Sequence, residues 1–223
     1  MMNSNEFEKL FFKIFGEFVK NPKQVDKLYL DVIKRYSSRG RFYHNIEHIY
    51  SMCDLWMQYR DKILRPSLVF VAIIYHDIVY KTYKATDNEE QSAEYFHNLA
   101  FKKHFNLRAI EIVYIMDLIR YTKHNCFFDL KLHKDAQFLL DFDLAVLSRS
   151  EDVYSQYTID IRKEYKRYPN FLYKKGRADV LKGFLDKEQI YLTKEFSCFE
   201  EKARKNIENE INLLTSSKKR KAV

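Results

Sequence analysis

The sequence predicts an all-α fold, a single-domain helical bundle, and three observations carry that prediction. The 223 residues include only 4 Gly and 3 Pro, too few for the tight turns of a sandwich or barrel. Hydrophobic residues make up 46% of the chain, enough for one sizeable core. Apolar positions also recur at helical spacing along most of the length. The 17 Tyr and 18 Phe give that core many large rings, and many phenols that need partners when buried.

The helices can be read in order. Residues 5–20 set Phe7, Leu10, Phe11, Ile14, Phe15 and Phe18 at helical spacing. Asn21-Pro22 ends that run, and Pro22 can open a second helix with Val25, Leu28, Tyr29, Val32, Ile33 and Tyr36 on one face. Ser37 to Gly40 reads as a loop. A third helix starts near Asn45 and runs to about Leu64. Pro66 opens a fourth, the very apolar SLVFVAIIYHDIVY. Its Val and Ile suit a strand, but its neighbours are helical and a buried helix is preferred. Thr86-Asp87 followed by Glu89 and Glu90 is a helix start, cap first and acids in the first turn, for a helix reaching about His104. Further helices fit residues 107–122, 133–148, 150–167, 171–187 and 195–214. No internal repeat, Gly-rich phosphate loop or zinc-finger spacing is present. One domain is expected over 1–214, with the motif-bearing part at 41–143, C-terminal helices at 150–214 and a basic tail at 215–223.

Charge and cysteine usage narrow the function classes. The net charge is +8, and Lys218-Lys219-Arg220-Lys221 supplies four of those charges as what reads as a solvated terminus. The mild excess left on the body suits an anionic small molecule as well as a nucleic acid; a nucleic-acid partner is not expected. The longest apolar run, Leu68 to Tyr75, falls far short of a membrane span of roughly 20 residues, so no membrane partner is expected. The start lacks a signal-peptide layout. Cys53, Cys126 and Cys198 are odd in number and widely spaced, with no C-x-x-C. They suggest a reducing, cytoplasmic compartment and buried, reduced thiols.

The chemistry-bearing residues are His44 and His48 in YHNIEH, His76-Asp77 in AIIYHDIVY and Asp143 in FLLDFDLAVL. Histidines four apart on a helix share a face and can address one ion or one substrate. Imidazole with carboxylate suits a transition metal or a mixed N/O site for a divalent ion. An adjacent His and Asp ending an apolar helix are costly unless both are satisfied, by a metal or by a backbone carbonyl and a cap. Asp141 and Asp143 cannot face the same way on a helix; one is expected as a cap and the other inward, where a carboxylate favours a cationic partner.

This H…HD…D set in a helical chain resembles the HD superfamily of metal-dependent phosphohydrolases, most closely its predicted members of about this length. The likeness runs in order through RFYHNIEHI, IIYHDIVY, TDNEEQSAEYF, FLLDFDLAVLS, IRKEY and GRADVLKGFL. It implies the helical HD bundle and makes His48, His76, Asp77 and Asp143 metal ligands. YHNIEH is also similar to the YHNxxH stretch of the helical cyclic-nucleotide phosphodiesterases, which implies His44 as general acid and His48 as ligand. Asp77, also assigned a catalytic part, could bridge to a second ion. His124 matches a place where some relatives carry a further ligand or substrate histidine.

The expected activity is hydrolysis of a phosphate ester, possibly of a nucleotide, by metal-activated water with a histidine acid. The cofactor would be a divalent ion: Mn, Mg, Co, Ni, Fe or Zn. Arg41, three residues before His44, is the first candidate for a planar cationic phosphate contact. Asp87, with Asn88 and Glu89, either lines the site or caps a helix. Arg162, Glu164 and Arg177 are read as ion-pair or packing residues, and His97, His104 and His133 as surface polar residues. The competing reading is a non-catalytic HD-fold sensor of a nucleotide or partner; against it, every ligand and the candidate acid are present.

Overall fold

The computed structural model describes residues 2–83, 87–102, 105–123 and 134–216. It is all-helical: these residues form ten α-helices joined by turns and short 3₁₀ segments, with no strand among them. The helices fall into two compact units, Met1–Asp143 and Leu144–Val223.

The first unit opens with α1 (Ser4–Phe18) and α2 (Pro22–Tyr36), which pack on each other. The Asn3 side chain caps α1 and Glu6 reaches back to the Asn3 amide, a reciprocal pair that satisfies two orphan donors. Asn21 caps α2, with Pro22 at its first position as the sequence suggested. Phe7, Phe11 and Phe15 are fully buried, and Phe11 stacks on Phe15 with ring centroids 4.0 Å apart. The remaining helices of this unit are α3 (Ile46–Tyr59), α4 (Pro66–Tyr75), α5 (Asn88–Lys102), α6 (Ala109–Tyr121) and α7 (Lys134–Leu144).

At the centre lies α4. Every residue from Leu68 to Tyr75 is buried, and α1, α3, α5 and α6 all pack against it. A helix apolar on all sides is a core helix. This explains why a Val- and Ile-rich run forms a helix: packing overrides propensity when each side chain gains about 1.5–3 kcal/mol from burial. The start of α4 has no local side-chain cap. Asp135, fully buried on α7, accepts hydrogen bonds from the amides of Leu64 (2.7 Å) and Arg65 (2.9 Å) and from the Tyr114 hydroxyl (2.9 Å). One carboxylate thus anchors α7 to the entry of α4.

The second unit contains the 3₁₀ segment Ala145–Ser148, α8 (Glu151–Glu164), α9 (Asn170–Leu185) and α10 (Glu200–Thr215). α10 packs on α9 and on the 3₁₀ segment. Arg177 donates to both carboxylate oxygens of Glu210, at 2.8 and 3.1 Å, and to the Tyr157 hydroxyl, while the Tyr154 hydroxyl donates to Glu210. Arg162 donates to the carbonyls of Tyr165 and Tyr168. Both arginines are therefore structural, as expected.

Two expectations need adjusting. Helices end sooner than periodicity suggested; α3 stops at Tyr59 and continues as the 3₁₀ turn Arg60–Lys62. Cys53 is buried, but Cys198 is exposed. No described helix is long and apolar enough to cross a membrane. His104, Cys126, His133 and residues 217–223 of the basic tail lie outside the described residues.

Candidate metal centre

Three helix ends of the first unit converge. Asn45 caps α3, its side chain accepting from the amides of Glu47 (2.9 Å) and His48 (3.4 Å), so His48 sits in the first turn. His76 is the residue that ends α4, and Asp143 lies in the last turn of α7. His48 Nε2 lies 3.1 Å from Asp143 Oδ1, and His76 Nε2 lies 3.7 Å from the same oxygen. Ligand atoms of these three residues all fall within 4.8 Å of one another. Both histidines are buried, and Asp143 is 12% exposed.

The backbone orients the His76 ring. His76 Nδ1 lies 2.9 Å from the Ile73 carbonyl oxygen, which can only accept, so Nδ1 carries the proton and Nε2 lies between Asp77 and Asp143. Such a carbonyl behind a histidine is a common means of orienting a metal ligand. Neither His48 Nε2 nor His76 Nε2 makes a well-directed hydrogen bond, although both are buried. A buried nitrogen without a hydrogen bond is costly. Two of them aimed at one carboxylate, an N,N,O donor set, fit a divalent transition metal.

Without an ion, the electrostatics divide the two histidines. Burial pushes the His48 imidazole below its ordinary value, only partly offset by Asp143. His76 feels the same burial, but the flanking Asp77 and Asp143 outweigh it and raise it to about 9. Burial would also raise Asp77, yet His76, His44 and His48 hold its carboxyl well below the usual carboxylate range. The cluster is thus a buried knot of imidazoles and carboxylates in which positive charge is favoured.

Asp77 does not join the convergent trio. Its Oδ2 lies 3.2 Å from His76 Nε2 and 4.0 Å from His44 Nε2, between the two rings. His44 precedes α3 and lies outside it. The shared-face argument for the two histidines therefore does not apply; the turn before the helix brings the rings to 6.0 Å. His44 is 20% exposed and stacks on Tyr80 with centroids 4.2 Å apart. His48 and His44 are accordingly unequal, one a buried member of the trio and one on its rim.

Arg41, expected at a phosphate, is engaged with backbone. Its guanidinium donates to the carbonyls of His44 (2.9 Å), Asp77 (2.8 Å) and Ile78 (3.1 Å). It ties the segment before α3 to the turn after α4, the two stretches that carry His44 and Asp77. Gly40, just before it, has φ +104°, a backbone state that side chains rarely adopt. Asp87 caps α5 by accepting from the Glu90 amide, and it pairs with Lys123 at 2.6 Å. Its cap role is thus observed. The neighbouring Glu89 is raised by burial and by the charges of Asp77 and Asp87. His124 lies outside the described residues.

Sequence reasoning missed Ser92, and the part Asn88 plays, in holding the Asp77 segment. Ser92, fully buried on α5, bonds both the amide and the carbonyl of Val79. Asn88 does the same for Lys81 at 3.1 and 3.0 Å. Only Asn45 carried a local signal, a capping residue at a helix start; Ser92, Asn88 and Tyr80 act across turns that no local pattern announces.

No family model, curated protein or solved structure matches the chain.

Proposed function

We propose that the chain is a metal-dependent phosphohydrolase of the HD type, with His48, His76 and Asp143 holding a divalent ion and Asp77 beside them, between His76 and His44. The observation that carries this reading is the pair of buried Nε2 atoms without hydrogen bonds facing Asp143. The order of motifs along the chain supports the phosphoester class. A divalent ion bound there supplies Lewis acidity to a phosphoryl group and lowers the pKa of a water that it binds.

The chain's own residues divide the remaining work. The Ile73 carbonyl fixes the tautomer of His76. Asp77, held ionised by its imidazole neighbours, orients the rings on either side of it. His44, on the accessible rim, is the proton donor to the departing oxygen, and Tyr80 fixes its ring plane. Arg41 holds the acid-bearing and aspartate-bearing segments in register.

The test is a phosphate-release screen over nucleotides and other phosphoesters, with Mn, Mg, Co, Ni and Fe supplied in turn. Release should require the metal and should fall at least about a hundredfold in His44→Ala, the usual scale of a lost general acid. Metal-loaded protein that releases phosphate from none of these substrates would sink the proposal.

A further inference from the structure

A concave site lies beside the segments that carry His44 and Asp77. It is a cleft of about 410 Å³ lined by Lys34 and Arg35 from the last turn of α2, Ser38 and Arg41 after that helix, and Ile78 to Lys81 after α4, with Asp31 at one side. That volume is within the range of small-molecule sites. Four cationic side chains and one carboxylate surround it. The carboxylate is already shared: Asp31 Oδ2 accepts from Arg35 Nε at 3.0 Å and from the Tyr95 hydroxyl. Lys34 and Lys81 are both exposed, and among the described residues Lys81 reaches no carboxylate, donating instead to the neutral Gln91 side chain at 3.1 Å. The local field is positive, and its concavity concentrates it.

We infer that this cleft binds a small phosphate-bearing anion, with Lys34, Arg35 and Lys81 as its cationic contacts. A simpler account covers part of the pattern. Lys34 and Arg35 sit in the last turn of α2, where cations offset the helix dipole. That account does not explain why Lys81 arrives from another segment or why the four cations border one cleft. The cleft shares a wall with the metal centre, because Arg41 bonds the His44 and Asp77 carbonyls and Tyr80 stacks on His44. An anion seated there lies one layer of side chains from the candidate acid. The inference does not rest on the hydrolase reading, since it concerns cations outside the ligand set.

The test is calorimetric titration of the full chain, stripped of divalent ions, with inorganic pyrophosphate. Three proteins are compared: the wild type, Lys34→Glu/Lys81→Glu, and a chain lacking residues 217–223. Wild type should bind one equivalent saturably, and so should the chain without its tail. The double variant should bind at least about tenfold more weakly, the factor expected for losing one charge-assisted hydrogen bond. Because both lysines are exposed, its thermal melt should match wild type. A double variant that melts earlier is replaced by Lys34→Ala/Lys81→Ala and held to the same tenfold criterion. Absence of saturable binding by wild type, unchanged affinity in the folded lysine variant, or loss of binding on removal of the tail would each overturn the assignment.

Discussion

Arg41 and His48 are seven residues apart and use their polar atoms in opposite ways. Arg41 gives its donors to backbone carbonyls on two segments; His48 leaves Nε2 with no hydrogen bond. Removing Arg41 strands those carbonyls in a partly buried place. Arg41→Met should therefore lower stability by about 1–3 kcal/mol, the cost of unsatisfied polar groups, in urea denaturation. An unchanged midpoint would mean that the bonds are replaceable by water. Asn45→Ala should cost about 1 kcal/mol, as other lost N-caps do, and should weaken metal uptake because it loosens the turn that seats His48. The sequence identified His44 and His48 but misjudged why they are close. Their spacing of four suggested one helical face, whereas the helix begins at Ile46 and the cap separates them into rim and interior.

At the scale of elements, α4 depends on distant help. The two residues that lead into it are held by Asp135, which is 70 and 71 residues away along the chain from the amides that it satisfies. Asp135→Ala removes a buried acceptor from three donors and should destabilise the fold by about 3 kcal/mol, a large but ordinary loss for a buried network. A melting temperature within a degree of wild type would contradict this anchoring role. The α5–α6 pair is joined by Arg120, which donates to both oxygens of Glu90 at 2.7 Å. Hydrogen bonding from Arg120 lowers the Glu90 pKa. The native state thus favours the ionised carboxylate. This stabilisation is present above the unfolded value of about 4.3 and is lost as pH falls through the lower folded value. Glu90→Gln should accordingly flatten the acid limb of the stability profile, by a small amount because the pair is partly solvated. A steeper acid limb would reverse the sign of the assignment. Helix positions were legible from the sequence because caps and apolar spacing are local; Asp135 was not, because its partners are brought to it only by folding.

For the whole molecule, helical class and site composition were both readable, the first from scarce Gly and Pro and the second from polar residues placed at the ends of apolar runs. What could not be read was how each side chain is used. Arg41 looked like a phosphate contact until its three carbonyl acceptors were seen, and the division at Asp143 leaves no mark in composition. The two units also make separable demands. In Leu144–Val223, Arg177→Met leaves Glu210 buried without its cation, which should cost about 3–5 kcal/mol. Folded Arg177→Met protein should nevertheless retain metal, because no ligand is touched. The most direct test of the central claim is elemental analysis of purified, metal-saturated wild type, His48→Ala and His44→Ala. The account predicts bound divalent metal in wild type and in His44→Ala, and its loss in His48→Ala. Equal metal in both variants, or none in the wild type, would contradict it.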